Sequence, residues 1–168
     1  DPVAIATGSD GEVLTSAGAG APPAFEAAAG GGSWVLIGTS VASDSASLIV
    51  TGLDSTYDTY GISWSEIIPA SDQQNLSLQF GDSGGLDSGA SDYAWHRGAV
   101  YENSANYAAG ASGGDTDSQI SNAVGNGAGE GCGGMVYLTR PGDGSTFPAF
   151  SGTFIGIDGD GLLNGGKV

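Results

Sequence analysis

The sequence is nearly without positive charge. Three Lys and Arg residues stand against 19 Asp and Glu in 168 residues, a formal net charge of −16. Only 13% of residues are charged, so the imbalance reflects missing cations rather than dense acids. A nucleic-acid binder needs a basic footprint to neutralise phosphates, and Arg97, Arg140 and Lys167 do not make one. Adsorption to anionic lipid is excluded on the same ground. Cysteine is almost absent as well. Cys132 is alone, which excludes a disulfide framework. There is a single histidine, His96, so a His-based nucleophilic triad would have to be built around it. No G-x-S-x-G elbow accompanies it. No apolar run approaches the roughly 20 residues of a membrane span, and no signal-peptide pattern opens the chain. P-loop, Rossmann and Cys/His zinc spacings are missing too. The chain opens at Asp1 rather than Met, as a processed product or a fragment does.

What the sequence has in abundance is glycine, 32 of 168 residues, against a usual share of about 7%. Residues 1–33 are mostly Gly, Ala, Ser, Thr and Pro. Their larger apolar side chains are Val3, Ile5, Val13, Leu14 and Phe25. That is too little to bury a core. Pro22 and Pro23 favour a polyproline-like stretch, and Gly30 to Gly32 make a flexible joint. Residues 1–33 therefore read as an extended arm or linker, ordered only by a partner. Such a segment can cross a large surface or add a strand to an exposed sheet edge, with Val13, Leu14 and Phe25 as anchors. A disordered tail is the alternative.

From residue 34 the pattern changes to short β-branched and aromatic runs. Gly, Asp, Ser and Pro punctuate them. Runs at 34–37, 46–50, 60–66, 76–80, 93–97, 135–138 and 153–157 predict strands, with weaker runs at 99–101, 105–109 and 118–124. No window shows a 3.6-residue period. About eight strands over 34–168 predict an all-β fold, an antiparallel β-sandwich of jelly-roll type. Glycine at this density destabilises a monomer through the freedom of the unfolded chain. The sandwich gains when copies bury its faces or edges, so a homotrimer is expected.

The residues that carry chemistry are sparse. Cys132 lies among glycines, with no basic neighbour to activate a thiol. A glycosidase needs two carboxyls in one cleft. With five Glu and fourteen Asp a chance pair is expected, so a pair alone argues little. Tyr57, Tyr60, Tyr93, Tyr101, Tyr107, Trp64 and Trp95 suit sugar stacking, yet most fall on strand patterns and suit a core equally. Asp158 and Asp160 have the opening spacing of a calcium loop without its closing Glu. Asp82, Asp87 and Asp92 recur every five residues in a Gly/Ser loop. Calcium is thus an open alternative to turn chemistry, the commoner role of Asp beside Gly. The sequence predicts no catalytic residue and no cofactor.

Residues Gly8, Asp10, Gly11, Val13, Leu14, Thr15, Ser16, Gly18, Gly20, Pro23 and Phe25 keep one spacing throughout. This segment resembles the G-x-D-G-x-V-L-T-S arm of tail-fibre and other virion surface proteins of marine bacteriophages. Pieces further on also resemble the domain that follows that arm. They begin with Trp34 to Gly38 and Thr51 to Tyr60, continue with Pro69 to Asp72 and Gly89 to His96, and end with Arg140 to Gly144. The resemblance implies a virion structural protein on the surface of the phage particle. It would join other virion proteins through the arm, form a trimer, and contact host surface glycans. A capsid decoration or head-fibre protein, and a virion-associated domain that binds or degrades polysaccharide, are the alternatives. Members of that family run on through further strands past the position of Val168.

Overall fold

The computed structural model describes residues 5–27, 34–103 and 107–168. The expected joint at 30–32 lies outside the described residues. Among them there is no helix, and the chain is all-β. It divides into two compact units, Asp1–Thr39 and Ser40–Val168.

The smaller unit contains a hairpin where an arm without structure of its own was expected. Strand β1 (Glu12–Thr15) pairs antiparallel with β2 (Ala24–Ala27). Turns hold it rather than a core. Ser9 N donates to Glu12 Oε2 at 2.6 Å, and Glu12 N donates to Ser9 O at 3.2 Å. Gly11 supplies the φ of 87° that this turn needs. Thr15 Oγ1 ties the far end to Glu26 Oε2 at 2.6 Å. Phe25 lies so close over Gly8 that a Cβ there would meet the ring. The composition argument was sound about a core. It missed that a hairpin needs turn residues more than buried area.

The larger unit holds the remaining strands. They are β3 (Thr59–Ile67), β4 (Ser77–Leu78), β5 (Gly81–Asp82), β6 (Gly85–Leu86), β7 (Tyr93–Tyr101), β8 (Tyr107–Asp115), β9 (Ser118–Gln119), β10 (Gly131–Thr139), β11 (Ala149–Ile157) and β12 (Leu163–Lys167). Six of them form one antiparallel sheet in the order β3-β10-β11-β12-β7-β8. The β4–β9 pair forms the second, smaller layer, and β5–β6 is a short hairpin. The architecture is an antiparallel β-sandwich with unequal layers.

The period of two explains the inner face. Tyr60, Ile62 and Trp64 alternate with Gly61, Ser63 and Ser65 along β3. Leu138 sits beside Tyr60 and Phe150, and Val136 beside Ile62 and Gly152. Val136 and Leu138 are 0% exposed. Leu76, Leu78, Phe80 and Ile120 close the core from the second layer. Backbone bonds fix that layer, with Ile120 N donating to Leu76 O at 2.8 Å. Gly134 is required opposite Trp64, because a Cβ there would strike the indole. Asn164 is also buried on this face, and neither atom of its side-chain amide has a hydrogen-bond partner.

The outer face of the sheet has another character. Ser63, Met135, Tyr137, Thr153, Ile155 and Val100 alternate onto it, between many small residues. The six strands together hold two of the chain's 19 acids. These are Glu66 at the β3–β10 bulge and Asp115 at the end of β8.

Two expected strands are not strands. Residues 34–37 and 46–50 belong to no sheet, and every residue from 34 to 50 is exposed. Conversely β12, with its Asn-Gly-Gly centre, was not foreseen. It pairs with β11 and β7, and a Cβ at Gly166 would run into the Gly98 carbonyl. Backbone proximity, not side-chain propensity, makes this a strand.

Candidate functional site

The most built feature of the surface lies at one end of the sheet. Here β3 begins, β10 ends and β11 begins, and two loops, 53–58 and 140–148, pack together. Asp54 organises the first. Its Oδ1 accepts from Thr56 N at 2.8 Å and lies 2.9 Å from the Tyr60 hydroxyl, which also reaches the Asp54 carbonyl at 2.9 Å. The Thr56 hydrogen bonds hold the Asp54 carboxyl below the usual range, and burial pushes the Tyr60 phenol up. Arg140 organises the second loop. Its N donates to Asp58 O at 2.9 Å, its Nε to Asp58 Oδ1 at 3.2 Å, and its Nη1 lies 3.8 Å from Asp143 Oδ2. Asp143 is held below the usual range by its bonds from Ser145. A Cβ on Gly142 would strike the Asp54 backbone, so the two loops touch there. Arg140 itself adopts φ 48°, a conformation costly to a side chain of this size.

This frame displays aromatic surface. Phe147 is 99% exposed, and Tyr57, edge-on to Tyr60 at 5.8 Å, is exposed as well. Loops on a rigid sheet end are where binding residues concentrate. Aromatic faces beside carboxylates and a guanidinium offer stacking together with hydrogen bonding. That suits a polar, ring-containing ligand. Sequence reading had placed Tyr57 among stacking candidates and had missed Phe147, whose exposure no local pattern announces.

The calcium candidates are turn residues. Asp158 Oδ1 accepts from Asp160 N at 3.1 Å and Leu162 N at 2.9 Å, closing the β11–β12 turn. Asp82 Oδ1 accepts from Gly84 N at 2.6 Å in the β5–β6 turn. Asp92 Oδ2 accepts from Gly89 N at 2.5 Å. Asp87 bonds through its backbone, to Phe80 O and to the Tyr93 hydroxyl. The five-residue recurrence therefore reflects separate turns. Asp72, unforeseen, has its carboxylate against Gly159. Among the described residues no three His, Cys, Asp or Glu gather at a spacing that holds a metal ion.

Glu66 and Glu130 both border a shallow trough of about 260 Å³ at the rim of the outer sheet face. Its floor is glycine and its walls are Ile155, Ile157 and Leu163, with no aromatic side chain. Glu130 bonds the Gly127 N–H, stapling its own turn. Glu66 stands at the bulge with φ 52°. His96 is exposed on the outer face. Cys132 is buried, and burial pushes its thiol up, away from the reactive thiolate.

The anchors of the hairpin divide between two faces. Leu14 lies opposite Phe25 and Val13 opposite Glu26, so Leu14 and Phe25 share a face that Val13 does not. All three are exposed. Phe25, with Ile5, Gly8 and Pro22, also lines a groove of about 380 Å³ within this unit. No family model matches the chain, no curated protein matches it, and no solved structure matches it.

Proposed function

We propose that this chain is a structural and attachment protein of a bacteriophage particle, tail-fibre-like. In this reading its hairpin unit joins the rest of the virion. Its sandwich, as a trimer, presents the loop end to host surface glycans. One observation carries the reading. The chain divides into a small unit with exposed Leu14 and Phe25 and a larger unit whose loop end exposes Phe147 and Tyr57. Such a division suits anchoring by one part and display by the other. The resemblance of residues 8–26 to a virion arm supports it, and so does the charge. Fifteen acids lie beyond residue 33, which keeps densely displayed copies soluble and apart.

Two alternatives keep their place. A capsid decoration protein shares every feature named above. A virion-bound polysaccharide-degrading domain would work through Glu66 and Glu130, but the trough they border has no aromatic wall on which a sugar would stack. Immunogold labelling of intact particles separates the first. Label on the tail is expected, and label on the capsid shell away from the tail overturns the fibre reading. Incubation with host polysaccharides separates the second. No new reducing ends are expected, and sustained turnover lost on Glu66→Gln would overturn the non-enzymatic reading.

A further inference from the structure

Residues 34–50 and the outer face of the sheet are both left uncovered, and they suit each other. The segment holds two runs of strand composition, Trp34 to Ile37 and Leu48 to Val50. Apolar side chains occupy successive positions in each, as in strands covered on both faces. Yet Leu36 is 80% exposed, Val41 87% and Ile49 75%, and no residue of the segment is in a strand. Large apolar side chains exposed in this number mark an interaction site rather than a resting monomer.

Charge selects the partner. A chain of net charge −16 repels its own copies. The segment carries one charged residue, Asp44. On the outer sheet face the charged or titratable side chains are His96, Tyr137, Lys167 and, at the rim, Glu66 and Glu130. Two copies of this acidic protein can therefore approach through these two surfaces with little repulsion. The face carries many small residues, with Ile155, Val100 and Leu163 exposed on it. Among the described residues its edge strands, β3 and β8, have a strand neighbour on one side only. Reach is sufficient. Seventeen extended residues span up to about 60 Å, against a radius of gyration of about 14 Å expected for a domain the size of Ser40–Val168.

We propose that the outer face of the six-stranded sheet is the contact surface between copies of this chain, and that residues 34–50 of one copy lie across it on the next. Each copy carries both the segment and the face, so two copies can exchange segments reciprocally and a larger number can close a ring. The proposal rests on the oligomeric part of the functional reading and on none of its virion part.

Light scattering on the full chain, with far-UV circular dichroism as the folding control, tests it. The natural chain is expected to be an oligomer. Ile155→Glu on the face and, separately, Ile49→Glu in the segment are each expected to weaken association at least about tenfold with the β-sheet spectrum retained. Phe147→Glu, at the loop end, should leave the oligomer intact. Ile49→Cys chains mixed with Ile155→Cys chains should give a disulfide-linked pair that neither forms alone. A natural chain that stays monomeric into the millimolar range overturns the proposal, even where another protein then covers Ile155. An oligomer that survives both Glu variants, or a mixture that forms no mixed disulfide, overturns it too. Particle labelling is independent. A monomer found on the tail sinks this proposal and the trimer with it but leaves the virion reading standing, and a face-mediated oligomer absent from particles sinks the virion reading alone.

Discussion

The hairpin of residues 12–27 and the six-stranded sheet are both antiparallel β-structure, yet different forces hold them. The sheet surrounds Val136 and Leu138, which no water reaches. The hairpin leaves Val13, Leu14 and Phe25 exposed and is held by turn hydrogen bonds and one close contact, Phe25 on Gly8. An isolated two-stranded hairpin is marginal in water. One sequence thus contains a unit stabilised by burial and a unit stabilised by local geometry. Substitutions should separate the two.

The largest effect belongs to the core. Leu138→Ala removes a side chain wedged between Tyr60 and Phe150 and should cost about 2–5 kcal/mol. Urea denaturation followed by tryptophan fluorescence reads this. NMR shifts of Leu14 and Phe25 should stay in place, and their collapse together with the core would mean that the hairpin has no stability of its own. Asn164→Leu should act in the opposite sense. Its amide is buried without a partner, and an unsatisfied buried polar group costs about 1–3 kcal/mol. A rise in the denaturation midpoint is expected, and a fall would show that the amide is satisfied by ordered water. On the hairpin side, Gly8→Val should displace Phe25 and shift residues 12–15 toward random-coil values. The midpoint of the sheet should not move.

Much of the larger unit was readable because its strands have one covered face. The alternation of Tyr60, Ile62 and Trp64 with Gly and Ser, and the runs around Met135 and Thr153, placed β3, β10 and β11 within a few residues. Strand β12 was not readable, because Gly165 and Gly166 carry no pattern. Their role is to admit neighbouring backbone, which only the assembled sheet shows. The runs at 34–37 and 46–50 misled for the opposite reason. Their propensity is real, but neither run lies in a strand of the single chain. At the loop end Asp54 and Asp143 each accept from the backbone N–H two residues on, as aspartates in turns do. The meeting of Asp54 with Gly142 across more than eighty residues of sequence had no local signal.

Acid should loosen that loop end before it touches the sheet. The carboxyls of Asp54 and Asp143 titrate below the usual 3.8 because hydrogen bonds favour their charged forms. A depressed folded pKa stabilises above the unfolded value and loses that contribution as pH falls through the folded one. The loops should therefore hold from neutral pH down to that usual value and loosen only below it. Two-dimensional NMR across an acid titration would show shifts of Thr56 and Ser145 amides ahead of any change at Val136. Loosening that begins near neutral pH would contradict the assignment.

The smallest effect expected is at the ion pair on the same loops. Arg140 Nε and Asp58 Oδ1 lie 3.2 Å apart, but their side chains are 51% and 85% exposed. An exposed pair of this kind contributes about 0.2–1 kcal/mol and is screened by salt. The loop contact has other supports, the Arg140 N to Asp58 O bond and the seat of Gly142 on Asp54. Neither depends on the Asp58 carboxylate. Asp58→Ala should therefore shift the denaturation midpoint barely beyond error, and raised salt should erase even that shift. Arg140→Gly sharpens the point. It removes the same pair and also relieves a side chain held at φ 48°, where glycine rests without strain. If the pair mattered to the frame, both variants would lose stability alike. If the backbone carries the frame, Arg140→Gly should be no less stable than Asp58→Ala despite deleting more contacts. A clear deficit in Arg140→Gly that salt abolishes would show that the guanidinium, not the backbone, holds this end of the sheet together.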